Sequence, residues 1–201
     1  AAQVEELYQS HIHDSSFEHM VQPKMVYISN PTEYGTLYSR KELEELSRVC
    51  REHDLYLFMD GARLGYGLAA PDNELDLPFL AEHCDVFYIG GTKVGALFGE
   101  AVVIVNEELK KDFRYFIKQK GGMLAKGRLL GIQFETLFED DLYMEISRHA
   151  IRMAEKLREA FREKGYPFLV ENRTNQIFPV MPDSVLEKLS GSYGYSYQER
   201  V

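Results

Sequence analysis

The sequence predicts an α/β fold in which a mainly parallel sheet is covered by helices, followed by the start of a smaller α+β C-terminal domain. Three observations lead to this prediction. Short, continuous apolar runs recur through the first half of the chain, helical patterns alternate with them, and a long amphipathic segment follows. Runs that are apolar on both faces indicate buried parallel strands, and the alternation implies right-handed crossovers between them.

The first two predicted strands, residues 25–28 and 55–59, are separated by a well-marked helix. Ser39 and Glu42 have the spacing of a capping box, in which each side chain pairs with the backbone N–H of the other residue. Apolar residues then recur at helical spacing, so we predict a helix over residues 40–52.

The third and fourth predicted strands run in opposite directions. Asp76 is placed to cap a short helix with Pro78 in its first turn, and that helix leads to a third strand at residues 86–89. Residues 101–105 follow after a loop that is too short for a helical crossover. The fourth strand is therefore predicted to be antiparallel to the third.

Three helices are predicted after the strands. The first begins after Asn106 and ends at residues 121–122, and the second covers residues 124–138. The third ends at Gly165 and has one apolar face, formed by Leu142, Ile146, Ala150, Met153, Leu157 and Phe161.

The residues after the long helix predict a small α+β unit. Residues 168–170 and 177–180 have strand-like patterns, and residues 185–189 have a helical pattern. The tyrosine-rich residues 193–197 are predicted to form a half-buried strand.

The long helix is predicted to connect two domains. Residues 1–140 are assigned to part of a large domain, and residues 141–201 to the bridging helix and part of a small one. The chain has no initiator Met, and its last residues contain no obvious stop to their pattern. We therefore expect a fragment of a longer protein.

The charge and the cysteine content restrict the function classes. Lysine and arginine total 23 and aspartate and glutamate total 32, for a formal net charge of −9. This balance disfavours nucleic-acid and membrane partners, which require a basic face. No apolar run approaches the roughly 20 residues that span a bilayer. Cys50 and Cys84 show no disulfide or zinc pattern, which favours a reducing, cytoplasmic setting. His11 and His13 fit no zinc spacing and are predicted to lie in an exposed loop, so no metal site is predicted.

Candidate functional residues follow three of the predicted strands. Asn30 follows the first, Asp60 and Arg63 follow the second, and Thr92 and Lys93 follow the third. Taken singly, a capping Asp and solvated Arg and Lys side chains are the simpler interpretation. Ligands of such sheets, however, gather at the carboxyl ends of the strands, so these side chains are expected to converge on one cleft.

Two segments at these strand ends resemble a known family. FMDGARL at residues 58–64 and GTKVGA at residues 91–96 are similar to the cofactor-binding signatures of the threonine aldolases, and KGGM at residues 120–123 resembles the Gly-rich stretch of that family. The threonine aldolases are grouped with the β-eliminating lyases among the pyridoxal-phosphate (PLP) enzymes of the aspartate-aminotransferase-like fold, fold type I.

The resemblance implies a role for each candidate residue. Lys93 would form the covalent bond with the PLP aldehyde, and Asp60 would pair with the pyridine nitrogen of the cofactor. Arg63 would lie near the phenolic oxygen of PLP or the substrate carboxylate. Thr92 would contact the cofactor or act only as a structural hydroxyl, and Asn30 would line the site. No residue is assigned as the general base.

The implied reaction is the cleavage of a β-hydroxy-α-amino acid, such as L-threonine or L-allo-threonine, to glycine and an aldehyde. β-Elimination or transamination on the same fold is the alternative chemistry, and a catalytically silent domain is the alternative of another class. The resemblance also implies a homo-oligomer, either a dimer or a tetramer. The chain lacks the segment that supplies the family's phosphate cup and a later Arg for the substrate carboxylate, so by itself it is expected to bind PLP poorly.

Overall fold

The computed structural model describes residues 1–197 as a four-stranded sheet with helices packed against one face. The strands are β1 (Met25–Ser29), β2 (Tyr56–Asp60), β3 (Val86–Gly90) and β4 (Glu100–Ile104). The helices are α1 (Ala2–Ile12), α2 (Arg40–Glu52), α3 (Leu64–Leu68), α4 (Leu77–His83), α5 (Glu107–Lys110), α6 (Phe113–Gln119), α7 (Arg128–Phe138), α8 (Leu142–Glu163) and α9 (Asp183–Leu189). Within the described residues, none of these helices has the length and apolar character needed to cross a membrane. The order of elements confirms the predicted α/β fold.

The strands lie in the sheet in the same order as in the chain. β1 pairs with β2, and β2 with β3, in parallel, whereas β3 and β4 are antiparallel as the short loop between them predicts. Ser29 lies opposite Asp60, and Gly90 lies opposite Glu100. The carboxyl ends of the three parallel strands therefore meet at one edge of the sheet.

The two faces of the sheet differ in burial. On one face the side chains form the core with α2, α3 and α4. They are Ile28, Leu57, Met59, Phe87 and Ile89. The alternating positions carry Tyr27, which is exposed, and Phe58, Asp60 and Tyr88, which are half-buried. Asp60 therefore lies on the less buried face, at the end of its strand.

Two helix starts have the caps that the sequence predicts. Ser39 Oγ accepts a hydrogen bond from the Glu42 N–H at 3.2 Å, and a Glu42 carboxylate oxygen accepts one from the Ser39 N–H at 2.9 Å. Asp76 accepts a hydrogen bond from the Phe79 N–H at 2.8 Å, with Pro78 in the first turn. The predicted starts of α2 and α4 are confirmed.

The prediction of a single helix after Asn106 is wrong, because the structure has two helices there, α5 and α6. Asn106 caps α5 by accepting a hydrogen bond from the Glu108 N–H at 3.0 Å. Asp112, however, has a φ of 56°, a left-handed conformation that interrupts a right-handed helix. The next helix also begins later than predicted, at Arg128.

The buried face of α8 is rotated from the predicted one. Its buried side chains are Tyr143, Ser147, Ile151, Ala154 and Arg158. Met153 and Leu157, which belong to the predicted apolar face, are exposed. The prediction failed there because it counted only apolar residues, whereas Ser147 and Arg158 are buried with hydrogen-bond partners at 2.8 and 2.9 Å.

The residues after α8 contain less regular structure than predicted. Phe168 and Pro179 form a single antiparallel bridge in place of the two predicted strands. α9 begins at Asp183, close to the predicted helix. Residues 193–197 form no strand, and all three of their tyrosines are exposed, so that prediction is wrong. The division into domains at residue 140 stays a prediction.

The segment before β1 departs from the predicted exposed loop. His11 belongs to α1 and is only 7% exposed, because its ring packs edge-on against Phe17 with the centroids 6.2 Å apart. His13 is exposed, as predicted. Among residues 1–197, no group of three or more His, Cys, Asp or Glu side chains is arranged to hold a metal ion.

Candidate active site

Backbone hydrogen bonds join the loops that follow the three parallel strands. The N–H of Asn30 donates to the carbonyl oxygen of Asp60 at 3.0 Å, and the N–H of Gly90 donates to the carbonyl oxygen of Gly61 at 2.9 Å. The three sequence segments that were predicted to converge therefore lie side by side at one edge of the sheet.

Two glycines allow the β2 and β3 loops to approach so closely. A Cβ on Gly61 would lie 1.9 Å from the carbonyl oxygen of Tyr88, and a Cβ on Gly90 would lie 2.4 Å from that of Ala62. Backbone oxygens cannot rotate away from such contacts. The glycines that flank the candidate residues therefore set the distance between the two loops.

Asp60 is the most strongly hydrogen-bonded carboxylate of this edge. One of its oxygens accepts from the Ala62 N–H at 2.9 Å and the other accepts from the Tyr27 hydroxyl, while the Tyr88 hydroxyl is close enough to the carboxylate to lower its pKa as a donor. Partial burial alone would raise the pKa of the Asp60 carboxyl. The hydrogen bonds from Tyr27, Tyr88 and Ala62, together with the charge of Lys93, outweigh burial and hold the pKa below its ordinary value.

The two tyrosines that bind Asp60 were missed by the sequence reasoning. The hydrogen bond to Asp60, with burial, raises the pKa of Tyr27 to about 12. Burial, followed by the hydrogen bond to Asp60, raises the pKa of Tyr88 as well. Both residues lie on the same face of the sheet as Asp60, so strand alternation could have suggested them once the register was known.

Lys93 lies in a tight turn immediately after β3. The N–H groups of Val94 and Ala96 donate to the carbonyl oxygen of Gly91 at 2.8 and 3.0 Å, and the Tyr66 hydroxyl donates to the carbonyl oxygen of Lys93. The backbone is thus fixed from two sides while the side chain is exposed. The amine is close enough for its charge to act on Asp60.

The other three candidate residues differ in their surroundings. Arg63 is half-buried at the start of α3, and among the described residues it forms no salt bridge. The Thr92 hydroxyl lies 3.4 Å from the carbonyl oxygen of Gly99, to which it donates a long hydrogen bond. Asn30 is 1% exposed, and its side-chain oxygen accepts from the Tyr38 N–H at 3.2 Å.

Tyr143 on α8 supports this edge from the side of the core. Its hydroxyl donates to the carbonyl oxygen of Gly90 at 2.9 Å and accepts from the Gly65 N–H at 3.1 Å. Burial raises the pKa of Tyr143, so the hydroxyl stays neutral and can make both bonds. The ends of β3 and α3 are therefore held by one buried side chain.

The family model for beta-eliminating lyases matches residues 2–184. The chain belongs to the beta-eliminating lyase family. Among curated relatives, this chain is 33% identical over 173 residues to the low specificity L-threonine aldolase of Pseudomonas aeruginosa, covering 85% of this chain and 50% of the relative. It is 28% identical over 162 residues to the corresponding Escherichia coli K12 enzyme, covering 80% of this chain and 46% of the relative.

Solved structures show the same relationship. The threonine aldolase of Leishmania major superposes with a TM-score of 0.94 and 44% identity, covering 100% of this chain and 57% of that one. A PLP-dependent aminotransferase from Streptococcus suis shares the fold, with a TM-score of 0.62 at 22% identity over 93% of this chain and 50% of that one. The predicted fold type I is confirmed. The chain spans about half the length of the curated relatives it matches.

Membership of the beta-eliminating lyase family implies PLP as the cofactor, and the site of this chain fits that group. An ionised carboxylate offers about four acceptor positions, and three donors reach Asp60, which leaves one for the N–H of a pyridine ring. The charge of the exposed Lys93 amine acts on this carboxylate. Arg63, which forms no salt bridge within residues 1–197, would supply a cation for an anionic oxygen of the cofactor.

Proposed function

We propose that this protein is a PLP-dependent aldehyde-lyase that cleaves β-hydroxy-α-amino acids, such as L-threonine and L-allo-threonine, to glycine and an aldehyde. One observation carries the proposal: Asp60 and Lys93 follow the adjacent strands β2 and β3 at the same edge of the sheet, where the charge of the Lys93 amine helps to keep the Asp60 carboxylate ionised. The threonine aldolases among its relatives support this choice of substrate within the family.

Each candidate residue has a proposed task. Lys93 holds the cofactor covalently through its amine and releases it when the substrate amine takes its place. Asp60 accepts the ring N–H and keeps that nitrogen protonated. When bound, PLP supplies a sink for the electron pair left at the substrate Cα as the Cα–Cβ bond breaks. Arg63 binds an anionic oxygen of the cofactor or substrate, and Thr92 contacts the cofactor beside Lys93.

The proposal is tested by Lys93→Ala in a full-length version of the protein, with Lys118→Ala as the control. Lys118 is an exposed lysine on α6 and lies outside the candidate site. We expect Lys93→Ala to abolish the release of glycine and acetaldehyde from threonine, and to prevent the attachment of PLP by borohydride reduction. Lys118→Ala should match the wild type in both assays.

The products decide between the proposed reaction and its relatives. Glycine with acetaldehyde identifies carbon–carbon cleavage, whereas ammonia with a keto acid identifies β-elimination. Unchanged threonine cleavage by Lys93→Ala would refute the assignment of Lys93.

We also propose a homo-oligomer in a reducing, cytoplasmic setting. Leu97, Leu129 and Ile132 are at least half exposed, and the Leu97 N–H binds the Gln133 side chain at 2.7 Å, so the apolar side chains lie on one surface of α7 and its neighbouring loop. Such a surface on a soluble chain is typical of a contact between subunits. The free, buried thiols of Cys50 and Cys84 favour a reducing compartment.

A further inference from the structure

Two phenol groups from different strands converge on Asp60. We propose that Tyr27 on β1 and Tyr88 on β3 are positioning residues that hold Asp60 as an ionised, oriented acceptor for the ring nitrogen of the cofactor. The part of this inference that concerns the cofactor rests on the proposed function. The effect of the two tyrosines on the carboxylate itself does not.

Strand register places the two phenols on either side of Asp60. Ser29 lies opposite Asp60 in the parallel pairing of β1 and β2, so Tyr27 is two residues earlier on the same face. On the other side, Met59 pairs with Phe87, which places Tyr88 beside Asp60. The carboxylate is therefore reached from both neighbouring strands.

Packing fixes the two phenol rings. The ring of Phe58, on the same face of β2, stacks on Tyr27 with the centroids 5.3 Å apart and the planes at 9°. It also contacts Tyr88, with the centroids 6.1 Å apart and the planes at 57°. An aromatic side chain between the tyrosines thus limits the movement of both hydroxyls, although Tyr27 itself is 55% exposed.

The surrounding charges keep the phenols protonated and the carboxylate ionised. Glu33 acts on Tyr27 and Glu100 acts on Tyr88, and both carboxylates favour the neutral phenol. The charged group that faces Asp60 is Lys93, which favours the carboxylate. At neutral pH both tyrosines can therefore act only as donors toward Asp60.

The donors around Asp60 also determine the direction from which its carboxylate can accept a further hydrogen bond. The Ala62 N–H occupies one oxygen at 2.9 Å, and the Tyr27 hydroxyl occupies the other. The carboxylate therefore cannot rotate without losing a hydrogen bond to one of its charged oxygens. Removal of the two phenol oxygens should therefore raise the pKa of the Asp60 carboxyl and allow the carboxylate to rotate.

The first test measures the pKa of Asp60 in the cofactor-free protein by NMR, with aspartate labelled at the carboxyl carbon and the Asp60 signal assigned from Asp60→Asn. Tyr27→Phe and Tyr88→Phe keep the rings and remove only the oxygens. We expect the pKa of Asp60 to rise in each variant, and to rise further in the double variant. Tyr115→Phe, at a site that is 76% exposed, is the control and should change nothing.

The second test measures PLP affinity against pH. We expect the double variant to bind PLP about tenfold more weakly at neutral pH, the effect of losing a hydrogen bond to a charged group. The loss of binding on the acid side should begin at a higher pH than in the wild type, because the carboxyl takes up its proton earlier. Circular dichroism at each pH separates this effect from unfolding.

The outcomes distinguish this inference from the proposed function. An unchanged Asp60 titration in the double variant would overturn the inference, whether or not the protein cleaves threonine. Wild-type PLP affinity in the double variant, despite a shifted titration, would overturn its cofactor part. If Asp60→Asn binds PLP as the wild type does, the proposed function loses its main support, while a shifted titration still supports the action of the tyrosines on Asp60.

Discussion

Gly61 allows the loop after β2 to approach the backbone of β3 beside Asp60. It follows Asp60 directly, and it lies against the backbone of β3 at a point where a Cβ would be 1.9 Å from the carbonyl oxygen of Tyr88. The loop that carries Asp60 can therefore approach the end of β3 this closely only because the residue after Asp60 has no side chain.

We predict that Gly61→Ala destabilises the protein by about 2 kcal/mol or more, because the contact is with backbone and the strands must separate to relieve it. Gly131→Ala on α7 is the matched control, since nothing lies within 4 Å of its Cβ position. Alanine there should stabilise the helix by about 0.5–1 kcal/mol. Urea denaturation of both variants measures the difference, and equal midpoints would contradict the packing described.

At this scale the sequence predicted the charged residues of the site but not the groups that bind them. Asp60 and Lys93 follow strands that are recognisable from their apolar runs, so their convergence could be inferred from topology. Tyr27 and Tyr88 look like ordinary strand residues in sequence. Their hydroxyls gain a role only from the register of the strands, which hydrophobic pattern alone does not determine.

At the level of elements, α8 anchors the segment that follows it to the sheet. Arg158 is 2% exposed and donates to the Glu155 carboxylate at 2.5 Å and to the carbonyl oxygen of Thr174 at 2.9 Å. The Thr174 hydroxyl in turn donates to the carbonyl oxygen of Gly35 at 2.9 Å, in the loop after β1. A buried guanidinium thus orders a segment that has almost no regular secondary structure.

We predict that Arg158→Ala destabilises the protein by about 2–4 kcal/mol, because it leaves a half-buried carboxylate and the carbonyl oxygen of the buried Thr174 without their donor. Arg162→Ala, one turn further along α8, removes an exposed pair with Glu171 and should change stability by no more than about 1 kcal/mol. Urea denaturation compares them. A similar small loss in both variants would show that the Arg158 network contributes little.

α3 shows why some elements escape prediction. Two of its five residues, Gly65 and Gly67, have poor helix propensity, so the sequence argues against a helix there. A Cβ on Gly65 would lie 2.8 Å from the Tyr143 ring, and one on Gly67 would lie 2.9 Å from Pro31. The helix is stabilised by this close packing, which is a tertiary contact and leaves no local signal. α2, by contrast, has its capping box and its apolar spacing in adjacent residues.

For the whole molecule, the exposed apolar surface beside the candidate site predicts association. We predict that Ile132→Glu lowers the mass measured by light scattering, because a buried carboxylate would oppose contact between subunits. Leu157→Glu is the control, since Leu157 is a comparably exposed apolar residue, at 55%, on α8. An unchanged mass for Ile132→Glu, or equal dissociation of both variants, would count against α7 as the contact surface.

The architecture of the whole molecule could be predicted because several sequence patterns indicate the same fold independently of one another. Buried strands that alternate with helices, as in the segment from β1 to β3, indicate a parallel sheet even when individual boundaries shift by a few residues. The less buried face of the sheet could not be foreseen, because Tyr27 and Phe58 lie in runs that look apolar on both sides. Burial there depends on what packs against the sheet.

The paired glycines at the ends of β2 and β3 also bear on how such a catalyst could be redesigned. A side chain at Gly61 or Gly90 would force the backbone to move. The distance between the loop that carries Asp60 and the loop that carries Lys93 is therefore fixed by these two glycines. An engineer who wishes to change the substrate would do better to leave those positions alone. Randomisation is better directed at an exposed position such as Phe98, in the loop between β3 and β4, where a new side chain does not alter the hydrogen bonds of Asp60.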